Sequence, residues 1–244
     1  IYSPIGRAFF QAPGYKWVVN PTAGVFAPTS LGDSSFRLNI AGSTTVEPIW
    51  KAAIAGWEYA GGPTPTMDLK GSSSWNKVNA YGMPHMGGSS STQATISTDS
   101  TIIATDALGV IIPTTSTLNV KSLTQGDMLK MMNGTLFTTP YTVYTRDAES
   151  GTRDFWTRFY KGTGDNPNGS FSKATDDATI MAWDAASANM TLVFVKSAQE
   201  MIEKVSKDPQ GIGYCGLGEA DPTKVVVLDY KTTAGTVQKY DRPA

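Results

Sequence analysis

The sequence has one cysteine and one histidine, and these two scarcities narrow its chemistry. With Cys215 alone, no disulfide can form within the chain, and a cysteine-rich zinc site is excluded. With His85 alone, a mechanism that needs two imidazoles is excluded. Charge is scarce as well, since charged residues make up 17% of the 244 residues and the formal net charge is −1. A near-neutral chain lacks the basic surface of a nucleic-acid-binding protein, so no nucleic-acid partner is expected.

Long apolar runs are also missing. No segment approaches the roughly 18 consecutive apolar residues of a membrane span. The first residue is Ile1 rather than Met, which we interpret as the mark of a removed leader. Low charge with abundant Ser and Thr is common in exported proteins, so we expect an extracellular, periplasmic or cell-surface location. In that setting three sequons are candidates for glycosylation, and they begin at Asn133, Asn168 and Asn189.

Residues 1–35 form an N-terminal arm that differs in composition from the rest of the chain. This arm contains six aromatic residues but only three charged ones, and its four prolines prevent a long helix. A segment this apolar has to be covered. Two alternatives stay open: the arm packs on its own domain, or it inserts by strand addition into a neighbouring copy and makes a homo-oligomer.

From residue 36 onward, strand and helix patterns alternate, which predicts an α/β fold. Three predicted strand-to-helix turns are built from small hydroxylated residues: Gly42–Thr45, Gly71–Ser74 and Ser150–Thr152. Such turns leave free backbone N–H groups at a helix N-terminus, where they attract anions. Thr44 or Thr45 is the expected N-cap of the first of these helices.

Arg146 adds a cation to the third turn. It lies four residues before Ser150, at the end of a predicted strand. A guanidinium at that point can clamp an oxyanion with two parallel hydrogen bonds. Together the turns and the arginine predict a pocket that holds a dehydrated oxyanion mainly with neutral dipoles and one positive charge.

These segments resemble the phosphate-binding proteins of phosphate ABC transporters. Gly-Ser-Thr-Thr-Val at 42–46 resembles that family's first anion loop, Gly-Ser-Ser at 71–73 its second, and Arg-Asp-Ala-Glu-Ser-Gly-Thr at 146–152 its arginine segment. The likeness runs in the same order over about residues 36–230. It implies a two-lobed, periplasmic-binding-protein-like α/β fold with a mixed sheet in each lobe and a ligand cleft between them. The first lobe would comprise residues 36–107 and 208–244, and the second residues 108–207.

The resemblance also implies a function. The chain would be an extracytoplasmic solute-binding protein that binds inorganic phosphate or a similar oxyanion and delivers it to an ABC permease, without enzymatic activity, cofactor or metal. Carried over position by position, the ligand-binding residues would be Thr44, Thr45, Ser72, Ser73, Ser90, Arg146, Ser150, Gly151 and Thr152.

His85, Ser90 and Trp75 depart from the family pattern, and the last two bear on the pocket. Ser90 stands where the family often has an aspartate that accepts the proton of hydrogen phosphate. A hydroxyl both accepts and donates, so we expect weaker discrimination between phosphate and sulfate. Trp75 stands where a small residue is usual, and its indole would narrow the pocket.

The sequence leaves two other classes of function to consider, a structural subunit and an enzyme. One is a structural subunit of a cell-surface or filamentous assembly that reuses this fold, with the N-terminal arm docked on the next subunit. The other is an enzyme, which the sequence disfavours: Ser150 has no evident base partner, and no clustered carboxylate motif is present to bind a catalytic metal.

Overall fold

The computed structural model describes residues 39–59, 65–70, 86–88 and 107–239. The chain divides into two compact units, Ile1–Ile103 and Ala104–Ala244. The strands are β1 (Asn39–Gly42), β2 (Thr66–Leu69), β3 (Met86–Gly88), β4 (Leu108–Pro113), β5 (Ser122–Leu123), β6 (Tyr141–Arg146), β7 (Met190–Val195), β8 (Gly211–Gly216), β9 (Val225–Val227), β10 (Asp229–Lys231) and β11 (Val237–Gln238). The α-helices are α1 (Glu47–Tyr59), α2 (Gln125–Met132), α3 (Gly151–Tyr160), α4 (Lys173–Ala186) and α5 (Ala198–Lys207). The α/β prediction is confirmed.

The described part of the first unit is a three-stranded parallel sheet in the order β2-β1-β3. Parallel neighbours need a crossover connection, and α1 lies between β1 and β2 in the chain. All four residues of the central strand β1 are buried. Ile40 from this strand and Trp50 from α1 form the local core.

The second unit contains a five-stranded mixed sheet in the order β7-β6-β8-β4-β9. Strand β6 is parallel to both of its neighbours, whereas β4 is antiparallel to both of its own. Helix α5 buries Met201, Ile202 and Val205 and packs on the centre of this sheet. The approach is so close that a Cβ at Gly213 would lie 2.6 Å from the sulfur of Met201. A glycine at this position of β8 therefore lets the helix contact the sheet.

The C-terminal strands pair within the second unit, which contains β8 to β11. Strand β8 is hydrogen-bonded between β6 and β4, with Ile212 opposite Val143 and Tyr214 opposite Val110. The assignment of residues 208–244 to a first lobe stays a prediction. The predicted N-terminal arm, residues 1–35, lies outside the described residues.

One predicted strand is two strands in the structure. The sequence predicts a single strand over 224–230, but β9 belongs to the five-stranded sheet and β10 pairs with β5 and β11 in a small second sheet. Leu228 separates them, since it is buried and donates its N–H to the carbonyl of Val110. The chain thus leaves one sheet and enters the other within a single residue.

Strand β7 lies at the edge of the five-stranded sheet, and two of its N–H groups are bound by side chains. Leu192 donates to Oδ1 of Asp184 at 2.7 Å, and Met190 donates to Oγ of Ser187 at 2.9 Å. Both acceptors come from the C-terminal end of α4. The helix therefore occupies hydrogen-bonding positions that an additional strand would use.

Candidate anion-binding site

The turn from β6 to α3 brings four of the predicted site residues together. Arg146 is the last residue of β6, and Ser150 is the N-cap of α3. The hydroxyl of Ser150 accepts a hydrogen bond from the N–H of Arg153 at 3.3 Å. Gly151 and Thr152 form the first turn of the helix, and both are buried. The turn therefore presents an arginine, a hydroxyl and the positive end of a helix dipole in one short segment.

The Arg146 side chain is a charge in an almost dry environment. The residue is only 2% exposed, and this burial lowers the pKa of its guanidinium, while Tyr214 and the carboxylates of Asp147, Glu219 and Glu200 oppose that effect. A buried cation carries a large desolvation cost unless it is compensated. An anion held at this turn would supply compensation by hydrogen bonding to the guanidinium.

The position of Arg146 is set by contacts from three other elements. Its side-chain Nη2 donates to the carbonyl oxygen of Lys196, after β7, at 2.8 Å. Its backbone N–H donates to the phenolic oxygen of Tyr214 in β8 at 3.1 Å. Its carbonyl oxygen accepts from Nη1 of Arg153 in α3 at 2.8 Å. Backbone and side chain are both held, so little reorganisation is needed when a ligand binds.

Arg153 is a second buried guanidinium, placed by α3. It is fully buried, forms an ion pair of 2.8 Å with Asp177 of α4 and lies 5.8 Å from the centre of the Phe194 ring. The carboxylate, the ring and the carbonyl oxygen of Arg146 together offset part of the cost of burying this charge. Its main role in the site is therefore structural: it ties α3 to the end of β6.

The turn after β1, which carries two further predicted site residues, lies in the first unit. Gly42 has φ +142°, a backbone conformation that favours glycine, and it is followed by a short 3₁₀ helix at Thr44–Val46 and then by α1. The N-cap is Ser43, whose Oγ accepts from the N–H of Thr45 at 3.2 Å. The expectation that Thr44 or Thr45 is the N-cap was wrong, because the chain already turns into the 3₁₀ helix at Thr44.

The remaining predicted positions divide into two groups. Thr44 and Thr45 lie half-buried in the 3₁₀ helix of the first unit, whereas Arg146, Ser150, Gly151 and Thr152 lie in the second. Ser72, Ser73 and Ser90 lie outside the described residues, as do Trp75 and His85.

The three sequon asparagines differ in their exposure to solvent. Asn168 is exposed, whereas Asn133 and Asn189 are half-buried. Among the described residues, no group of three or more His, Cys, Asp or Glu side chains is arranged to hold a metal ion. Within the same residues, every helix is too short or too polar to span a bilayer.

The family model described as the PBP superfamily domain matches residues 27–242. The chain belongs to the PBP superfamily. The match covers both units, so the resemblance found in the sequence and the predicted periplasmic-binding-protein-like fold class are confirmed. No curated protein matches the sequence with significance.

Solved structures agree with this PBP superfamily fold. A phosphate ABC transporter substrate-binding protein with bound phosphate from Clostridium perfringens is 19% identical, with a TM-score of 0.54 over 80% of this chain and 76% of that one. An ABC-type phosphate transport receptor from Vibrio cholerae is 18% identical, with a TM-score of 0.50 over 82% of this chain and 79% of that one. A phosphate-binding protein from Stenotrophomonas maltophilia is 16% identical, with a TM-score of 0.50 over 78% of this chain and 64% of that one. At such identities the likeness establishes the fold.

Sequence reasoning missed three residues that shape this turn. Arg153 directly follows the Ser-Gly-Thr segment, and that adjacency was the available signal. Tyr214 contacts Arg146 only because β8 lies beside β6. Lys196 contributes its carbonyl oxygen, and a backbone group has no signature in the side-chain pattern.

Proposed function

We propose that this chain is an extracytoplasmic receptor for inorganic phosphate or a similar oxyanion, working with an ABC permease. It binds its ligand without transforming it. The observation that carries the proposal is the buried Arg146 beside the N-terminus of α3, in a chain of the PBP superfamily.

The chemistry of the β6–α3 turn supports an oxyanion as ligand. A planar guanidinium matches the oxygens of phosphate or sulfate in a bidentate arrangement. The N-terminal turn of α3 adds backbone dipoles that favour negative charge. The hydroxyl of Ser150 already accepts from Arg153, so its own proton is available to donate to an anion.

The solved relatives support phosphate and transport. The Clostridium perfringens structure is a substrate-binding protein of a phosphate ABC transporter and contains bound phosphate. The Vibrio cholerae structure is a phosphate transport receptor of the ABC type. A receptor of this kind meets its ligand outside the cytoplasm and passes it to a membrane permease, which is the partner that the proposal names.

Isothermal titration of the purified protein tests the proposal. We expect phosphate to bind, and to bind more tightly than sulfate at near-neutral pH. Replacing Arg146 by Gln removes the charge and should weaken phosphate binding by about 3 kcal/mol, roughly a hundredfold. Binding of phosphate by the Arg146→Gln variant with the parent's affinity would overturn the site assignment.

Arg158→Gln is the matched control for that experiment. Arg158 lies near the C-terminal end of α3, the helix that follows Arg146, where it pairs with Asp154 and reaches the carbonyl oxygen of Gly169. The control removes the same charge at the opposite end of that helix. We expect it to retain the parent's phosphate affinity, and an equal loss in both variants would mean that the effect is one of overall charge.

A further inference from the structure

Tyr214 lies where the strand that carries Arg146 meets the centre of the sheet. Its phenolic oxygen is 3.1 Å from the backbone nitrogen of Arg146 and 3.0 Å from Oγ1 of Thr145. The residue is 1% exposed, so water does not compete for these contacts. The phenol thus binds two consecutive residues at the end of β6.

The hydrogen bond between Arg146 and Tyr214 has a fixed direction. Burial raises the pKa of the Tyr214 phenol above its usual value, so the hydroxyl stays neutral. The N–H of Arg146 can only donate, and the phenolic oxygen accepts from it. In the contact with Oγ1 of Thr145, either hydroxyl can be the donor.

The Tyr214 ring also contacts the helix that follows the turn. It stacks on Trp156 of α3 with ring centres 4.6 Å apart and planes inclined by 15°. From the same helix, Nη1 of Arg153 donates to the carbonyl oxygen of Arg146 at 2.8 Å. Tyr214 and Arg153 thus hold the two backbone polar groups of Arg146, and we call this pair of contacts the backbone clamp.

Resting on the proposed function, we propose that Tyr214 is a positioning residue of the anion site, which acts by holding Arg146 through the backbone clamp. The reach of a guanidinium is set by where its Cα lies, and a displacement of about 1 Å is enough to spoil a bidentate contact. A buried, neutral and stacked phenol is a rigid support for that Cα. Tyr214 itself need not touch the ligand.

The test compares Tyr214→Phe with Tyr141→Phe. Tyr141 also belongs to the five-stranded sheet and is buried, but it lies at the other end of β6 and donates to the carbonyl oxygen of Met131 at 3.0 Å. Each substitution removes one buried hydroxyl and keeps the ring. In titrations with inorganic phosphate, we expect Tyr214→Phe to lose about tenfold in affinity, while Tyr141→Phe binds as the parent does, at a temperature where circular dichroism shows all three proteins folded.

Amide hydrogen exchange gives a readout that does not depend on phosphate. Loss of the phenolic acceptor should speed exchange of the Arg146 amide in Tyr214→Phe and leave it unchanged in Tyr141→Phe. Unchanged exchange would overturn the backbone clamp. Parent-like phosphate affinity in Tyr214→Phe would overturn the positioning role and leave the proposed function standing.

Failure of the proposed function would look different. If the parent itself does not bind phosphate, that function is wrong, and the exchange experiment still decides whether Tyr214 holds Arg146. If Tyr214→Phe does not fold, Arg153→Met tests the other half of the clamp, since methionine removes Nη1, the nitrogen that contacts both Arg146 and Asp177. Parent affinity in Arg153→Met would then count against the clamp.

Discussion

At the residue scale, Ser150 combines two tasks in one hydroxyl. Its oxygen accepts from the N–H of Arg153 and so caps α3, and the residue is 3% exposed. A hydroxyl that accepts one hydrogen bond can still donate its proton. Under the proposed function, helix stability and anion binding would therefore depend on the same hydroxyl group.

Replacing Ser150 by Ala should affect both properties. We expect the free energy of unfolding to fall by about 1 kcal/mol, the usual cost of an N-cap, together with weaker phosphate binding. Thr124→Ala is the control, because Thr124 caps α2 in the same way and accepts from Asp127 at 3.1 Å. Urea unfolding and phosphate titration should show similar stability losses in both variants but an affinity loss in Ser150→Ala alone. An affinity loss in Thr124→Ala would contradict this separation.

At the element scale, the N-terminus of α5 connects to the anion site through Lys196. The carboxylate of Glu200 accepts from the N–H of Lys196 at 2.8 Å, and the carbonyl oxygen of Lys196 accepts from Arg146 at 2.8 Å. The hydrogen bond from Lys196 is the largest cause that lowers the pKa of Glu200 below its ordinary value of 4.5, and Lys204 adds to it. Glu200 in the first turn of α5 thus fixes the position of Lys196, and the carbonyl oxygen of Lys196 in turn binds Arg146.

This lowered pKa gives a pH dependence of known sign. A carboxylate whose pKa is lower in the folded state stabilises the fold above its ordinary pKa, and this contribution is lost as the pH falls through the folded value. Between about pH 5 and pH 3, the melting temperature of the parent should therefore drop more than that of Glu200→Gln. Glu203→Gln, an exposed change on the same helix, should follow the parent. Identical melting curves for parent and Glu200→Gln across this range would contradict the prediction.

Helices α3 and α5 have a clear local signature in the sequence, whereas α4 has little of one. Helices α3 and α5 each begin with a serine cap and carry an apolar stripe, so pattern and cap agree. Helix α4 has no side-chain hydrogen bond at its N-cap and buries only Asp176 and Ile180. Besides Ile180 and the partly buried Trp183, which pack on the core, it is held by charge contacts such as Arg153–Asp177, and these depend on where α3 lies.

At the scale of the whole molecule, the pairing of strands that are distant in the chain explains the contacts that the sequence did not predict. Arg146, Ser150, Gly151 and Thr152 were predictable as one turn because they are neighbours in the chain. The contact between Tyr214 and Arg146 joins residues 68 positions apart, and the same pairing of β8 places the C-terminal strands in the second unit. Alternating strand and helix patterns do not specify which strands become neighbours. The role of residues 1–35 in oligomer formation stays a prediction.

The side-chain acceptors on strand β7 lead to a prediction about self-association. Asp184→Ala would free the N–H of Leu192 at the sheet edge. We expect more dimers and larger species by size-exclusion chromatography with light scattering, because an open edge pairs with other strands. Thr179→Ala is the control, since Thr179 binds only within α4, at Thr175. An unchanged distribution of sizes in Asp184→Ala would count against protection by this aspartate.

That protection depends on α4, which three ion pairs join to the segment around α3 in addition to its apolar contacts. Lys161 pairs with Asp176, Arg153 with Asp177, and Lys173 with Glu149, and each pair joins α4 to the segment around α3. High salt and acid weaken such pairs more than they weaken an apolar core. Detachment of α4 alone would expose the backbone N–H groups of strand β7 while the rest of the sheet stays folded. Precipitation of the protein should therefore begin at a lower temperature than its global unfolding.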